Sequence, residues 1–201
     1  MNETKTIMLV GVGGQGTLLA SRILGRLMLD AGFDVKVSEV HGMSQRGGSV
    51  VTYIRWGDSV ASPLVAQGEA DIILSFELCE AARWLSCLKP NGFLLSNNQQ
   101  IMPMPVITGA ATYPEAIEAE LKKLCKNVVV VDALTPALQA GNSRSVNVVL
   151  LGLLSDRMDF PEAAWQAALA ACMKPQLLAV NQLAFSMGRS LSRTMGGSAH
   201  V

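Results

Sequence analysis

Two short stretches of this chain carry residue types that could hold a ligand. Gly11-Val12-Gly13-Gly14-Gln15-Gly16 places glycines at a G-x-G-x-x-G spacing, with Thr17 opening the apolar-periodic run that follows. Glycines lack a Cβ and let the backbone approach an anion closely, and the free amides and positive dipole end of a following helix favour negative charge. Such a loop suits a phosphate or pyrophosphate. The same spacing also serves as a bare strand-to-helix packing turn. The second stretch, His41-Gly42-Met43-Ser44-Gln45-Arg46-Gly47-Gly48, is polar and again rich in glycine. Arg46 offers a planar fork of donors for phosphate or carboxylate, His41, Ser44 and Gln45 add hydrogen-bonding groups, and Gly47 and Gly48 permit close approach. The candidate cofactor-binding residues are therefore Gly11, Gly13, Gly14, Gln15, Gly16, Thr17, His41, Ser44, Gln45, Arg46, Gly47 and Gly48.

The elements around these loops set where they sit. Residues 6–10 form an apolar run ending at the first loop, and 18–29 carry apolar residues at helical spacing, closed by Gly32. Residues 34–40 lead as a second strand into the second loop, so the order predicts a βαβ unit with both loops at the carboxyl edge of one sheet. Residues 49–56 are rich in β-branched types and follow too closely for a helical crossover, which predicts an antiparallel strand. Further on, 70–75 reads as a strand, 77–88 as an amphipathic helix, Pro90-Asn91-Gly92 as a turn into a strand at 93–96, and 101–105 as a proline-bearing loop. Residues 113–124 read as a helix with Pro114 in its first turn, and 127–132 as a strand of consecutive valines. From Thr135 onward only helices are expected, at 137–140, 146–154, 161–172 and 175–191, with a frayed tail from Ser192. The fold class is α/β: a Rossmann-like three-layer domain, 1–201 in one unit, with a mostly parallel twisted sheet, one antiparallel strand and a helical C-terminal third.

Composition limits the function classes. Sixteen Lys and Arg balance sixteen Asp and Glu, which leaves no global field to draw in nucleic acid or an anionic membrane surface. No apolar run reaches the roughly 20 residues of a membrane helix, and the polar start lacks the apolar stretch of a signal peptide. A cytoplasmic protein is expected. Cys79, Cys87, Cys125 and Cys172 are scattered, without metal-ligand spacing, and read as reduced packing thiols; Cys79 and Cys87 lie two turns apart on one expected helix. His41 reads as a loop hydrogen-bonding residue, and no catalytic residue is assigned. Met43, Met102 and Met104 lie in expected loops and are candidates for a partner interface. The run 146–154 is apolar nearly all round and must be buried in this domain or against another subunit. Asn147 near its start either caps the helix or bonds a ligand.

The two loops together match a known family. GVGGQG, the helix TLLASRILG, and SEVHGMSQRGGSV running into a strand closely resemble the gamma domain of 2-oxoacid:ferredoxin oxidoreductases, in particular their indolepyruvate branch. In that family an activated aldehyde forms from a 2-oxoacid on thiamine diphosphate, electrons leave through iron–sulfur clusters to ferredoxin, and coenzyme A takes the acyl group. A thiamine site of the family type would show Gly-Asp-Gly and Asn-Asn, whereas Gly57-Asp58-Ser59 with Asn97-Asn98 has the wrong third residue and too long a gap. Iron–sulfur ligation needs clustered thiolates. The resemblance thus implies that thiamine and clusters sit on a large catalytic partner, with ferredoxin contacted indirectly, and that this chain is non-catalytic, serves assembly and contributes to the coenzyme A site. Two rivals stand beside it: a free-standing NAD- or FAD-binding oxidoreductase using the first loop with Glu39 on the ribose, and a pure assembly module in which both loops touch only protein.

Overall fold

A computed structural model describes residues 4–42 and 47–194. The chain opens with β1 (Lys5–Val12), α1 (Thr17–Asp30) and β2 (Asp34–His41), followed by β3 (Ser49–Gly57). Seven residues join β2 to β3, enough for a hairpin-like return and too few for a crossover, so β3 runs antiparallel as the sequence predicts. It pairs with β1 as well as with β2, Val12 facing Ser49 and His41 facing Val50. This corrects the simple βαβ expectation: β1 and β2 run in the same direction but β3 lies between them. Then come β4 (Ala70–Ser75), α2 (Leu78–Trp84), β5 (Leu88–Asn97), α3 (Met104–Ile107), α4 (Ile117–Leu124), β6 (Val128–Val131) and α5 (Leu134–Gln139). The sheet has the order β2-β3-β1-β4-β5-β6, and every pairing from β1 to β6 on that side is parallel.

Four local expectations fail. The expected helix 77–88 stops at Trp84, tightens into a 3-10 turn at Leu85–Cys87 and yields to β5, because the chain must turn back along β4. Cys79 and Cys87 therefore do not share a helix. Pro90-Asn91-Gly92 is no turn but sits inside β5, where the pairing jumps from Ala70↔Leu88 to Ile72↔Phe93; the bulge absorbs a residue without an amide hydrogen. The span 113–124 is helical only from Ile117, with Pro114 outside, while the expected loop at 101–105 gives way to the short α3.

Alternation along β1 sends Ile7 and Leu9 to one face and Met8 and Val10 to the other, and both faces are covered. On the first lie α1, α6 (Val146–Ser155), α7 (Glu162–Cys172) and α8 (Pro175–Thr194), with Leu24, Leu150, Trp165 and Phe185 in the core. The other face carries α2 and α4 through Leu78, Ala81, Ile117 and Leu121. The apolar α6 is buried within this domain. The helix α8 continues through Thr194, past the expected start of the frayed tail, whose residues 195–201 lie outside the described residues.

Candidate functional site

Because β1 and β2 end at the same sheet edge where β3 begins, the two glycine-bearing loops meet there. The Gly13 amide donates to Gly48 O at 2.9 Å, and the Gly47 amide to Gly13 O at 3.5 Å. Gly14 and Gly16 hold left-handed backbone, φ 104° and 84°, which side chains beyond glycine rarely adopt. Gly16 caps α1, whose first turn carries no acidic residue and no side-chain cap. The positive end of the helix is thus left without a compensating side chain.

In front of it lies an open cleft of about 400 Å³ lined by Gly13, Gly14, Gly16, Thr17, Leu18, Glu39, His41 and Val50. Thr17 is 7% exposed, and its hydroxyl has no hydrogen-bond partner among the described residues. His41 is exposed, its Nδ1 3.1 Å from Gly42 O. Ser44, Gln45 and Arg46, together with Met43, fall outside the described residues.

Gln15 turns away from this cleft. Its Oε1 accepts from the Val12 amide at 2.7 Å, and its Nε2 donates to Phe76 O at 2.9 Å and to Gln99 Oε1 at 3.1 Å. Both ends of the amide are spent on the chain itself. Gly11 serves the same packing: a Cβ there would lie 2.9 Å from Gln15 Oε1 and 3.1 Å from Phe76 Cβ. Phe76 and Gln99 carry no sequence signal for this role, being 61 and 84 residues distant from Gln15. Glu39 accepts from the Thr52 hydroxyl at 3.4 Å. With β3 interposed, it stands two strand spacings, roughly 10 Å, from β1, instead of on the neighbouring strand where a dinucleotide fold holds its ribose acid.

The family description "Pyruvate ferredoxin/flavodoxin oxidoreductase" matches residues 6–191, nearly the whole chain. The chain belongs to this family. Curated relatives named indolepyruvate oxidoreductase subunit IorB are 41% identical in Thermococcus kodakarensis, over 95% of this chain and 97% of that one, and 41% identical in Pyrococcus horikoshii, over 94% and 96%. In fold, the chain is similar to the gamma subunit of a keto/oxoacid ferredoxin oxidoreductase from Geobacter sulfurreducens, with a TM-score of 0.71 at 20% identity, covering 94% of this chain and 99% of that one. It is also similar to part of the 2-oxoglutarate:ferredoxin oxidoreductase of Magnetococcus marinus, with a TM-score of 0.73 at 19% identity, covering 100% of this chain and 32% of that longer chain.

As a member of this family, the chain has two further features beside the cleft. Asn97, half of the nearest imitation of a thiamine motif, is fully buried, its Oδ1 accepting from the Ala133 amide at 3.1 Å and its Nδ2 facing Phe76 O at 3.4 Å. It does not fit a thiamine site. All four cysteines are free thiols, and burial pushes the pKa of each upward, away from reactive thiolate. Among the described residues no group of three or more His, Cys, Asp or Glu could hold a metal, and no helix is long and apolar enough to cross a membrane.

The second feature is Glu77, 1% exposed at the start of α2. Its carboxyl oxygens accept from the Glu80 amide at 2.8 Å, the Ile101 amide at 3.1 Å and the Tyr113 hydroxyl at 2.6 Å. The segment 101–113 is thereby pinned at both ends to one side chain. Burial first, and then the bond to Glu77, push the Tyr113 phenol well above its ordinary value of 10.0. The folded chain therefore keeps this proton at a pH where the unfolded chain has released it. The stability that Tyr113 contributes is whole below about pH 10 and falls as the pH climbs toward the folded value. Tyr113→Phe is expected to flatten the alkaline loss of stability, read as urea midpoints from about pH 9 to 11; parallel slopes in the two proteins would refute it.

Proposed function

We propose that this chain is the smaller, non-catalytic subunit of an indolepyruvate-type 2-oxoacid:ferredoxin oxidoreductase, and that its glycine-rich cleft forms part of the coenzyme A site. The observation that carries the first half is the near full-length match to indolepyruvate oxidoreductase subunits, 41% identical over 97% of such a relative. The partner is a large subunit holding thiamine diphosphate and the iron–sulfur clusters, with ferredoxin reduced there, and the assembly is cytoplasmic. Oxidative decarboxylation of the 2-oxoacid to its acyl-coenzyme A is the partner's chemistry. What this chain supplies is binding and position.

The cleft fits one phosphate group of coenzyme A. It offers the uncapped first turn of α1, the open Gly14 backbone and the Thr17 hydroxyl, which lines the cleft without a protein partner among the described residues. The Glu39 geometry gives no support to the NAD or FAD rival. An assembly role draws support from residues 90–114, which hold no charged side chain. Within that stretch Met102, Met104 and Ile107 are 42%, 65% and 65% exposed, the methionine-bearing, charge-depleted surface of an interface core.

The test uses the reconstituted two-subunit enzyme with coenzyme A varied. Gly14→Ala forces a Cβ onto φ 104° and is expected to raise the KM for coenzyme A by about tenfold, and Arg46→Ala to raise it also, with kcat little changed. Neither variant moving the KM defeats the cleft reading. A melting-temperature shift of the isolated chain with NAD, NADP or FAD would speak for the rival instead.

A further inference from the structure

Asn147 is 3% exposed, at the start of a helix whose other residues are almost all apolar. A buried amide costs free energy unless its donors and acceptor are paired. Its Oδ1 accepts from the Val148 amide at 2.9 Å, and its Nδ2 donates to Gly16 O at 3.1 Å. The second bond joins residues 131 positions apart and lands on the last residue of the glycine-rich loop.

The same Gly16 carbonyl accepts from the Ala20 amide at 3.1 Å, so it is the first acceptor of the α1 ladder. A peptide group is planar, and fixing this carbonyl fixes the direction of the Thr17 N–H on its other side. The approach is tight: a Cβ on Gly16 would lie 2.5 Å from Asn147 Nδ2. On the far side of the loop, Gln15 is bonded to Val12, Phe76 and Gln99. The loop is clamped from both sides by amides that do not line the cleft.

We infer that Asn147 is a positioning residue for the cleft: by holding the Gly16 carbonyl it keeps the first amides of α1 and the Thr17 hydroxyl aimed at a phosphate group of coenzyme A. The inference rests on the coenzyme A reading above. A loop fixed before the ligand arrives loses less entropy on binding, so releasing the clamp weakens binding without touching the chemistry on the partner subunit.

The experiment measures kcat and KM for coenzyme A in the reconstituted two-subunit enzyme. Asn147→Ala is expected to raise the KM about tenfold with kcat within about twofold. Asn147→Asp keeps the size and the bond from Val148 but sets an acceptor against the Gly16 carbonyl, and is expected to do the same; it serves where the alanine variant does not assemble. Ser155→Ala, which removes the buried bond from Ser155 Oγ to Gly152 O on the same helix, controls for lost stability and is expected to leave the KM unchanged. Asn147 variants that melt lower yet keep the wild-type KM while Gly14→Ala raises it overturn the positioning role alone. If Gly14→Ala and Arg46→Ala also leave the KM unmoved, the coenzyme A reading itself falls.

Discussion

Replacing Gly152 or Gly188 with alanine is expected to destabilise this protein by about 3 kcal/mol or more, lowering its melting temperature by about 10 °C for a chain of this size. The two glycines face each other where α6 crosses α8. A Cβ on Gly152 would lie 2.1 Å from Phe185 O, and one on Gly188 would lie 2.0 Å from Val149 O. Both obstacles are backbone, which cannot rotate away as a side chain would. The helices would have to part, and with them the packing of Val148, Leu150, Leu151 and Phe185, all at 0% exposure. The sign is the informative part. In an exposed helix glycine to alanine stabilises by about 0.5–1 kcal/mol, so a thermal melt showing either variant at or above the wild type would refute the close crossing. Because both variants relieve one contact by the same separation, the double variant is expected to cost less than the sum.

The crossing also shows where the sequence was readable and where it was not. The run 146–154 announced a buried helix by being apolar nearly all round, but the pattern left open whether another subunit covers it; Gly188, 36 residues past Gly152, is the contact that puts the cover in this chain. Short-range cues held in the same way elsewhere. The brief link after β2 forces β3 antiparallel, since no helix fits in seven residues. The insertion of β3 between β1 and β2 was hidden, because pairing partners are set by packing across the sheet and not by any local spacing. Pro90-Asn91-Gly92 has the composition of a turn, yet an irregular pairing with β4 absorbs it as a bulge.

At the candidate site the same division applies. The glycines announce a strand-to-helix loop, and the structure adds that Gly14 and Gly16 hold positive φ in it. Gln15 stood among ligand-binding candidates on loop position alone, while its partners Phe76 and Gln99 come from β4 and β5 connections that no local motif links to it. Asn147 had two readings, a cap or a ligand contact. Its bond to Gly16 is a third, visible only once the C-terminal helices are folded against the first loop.

The other large effect is expected at Glu77. Glu77→Ala removes the acceptor of the Glu80 amide, the Ile101 amide and the Tyr113 hydroxyl together, in a place where water has little access. Each donor left unpaired costs about 1–3 kcal/mol, so a loss of about 3–5 kcal/mol is expected. Glu77→Gln tests whether charge or geometry matters less than acceptor count: the amide keeps the size but replaces one accepting oxygen with a donor, which must then face another donor, and a loss of about 1–3 kcal/mol is expected. The damage should also be local. With its anchor gone, the uncharged segment 101–113 is expected to open before the rest of the fold, so that a protease cutting beside Met or Ile nicks the variant there under conditions that leave the wild type whole. Because that segment carries the exposed Met102, Met104 and Ile107, the nicked or loosened variant should also bind the proposed large partner subunit more weakly than Tyr113→Phe, which loses only one of the three bonds. Equal binding by the two variants would show that the segment does not need to be pinned to dock.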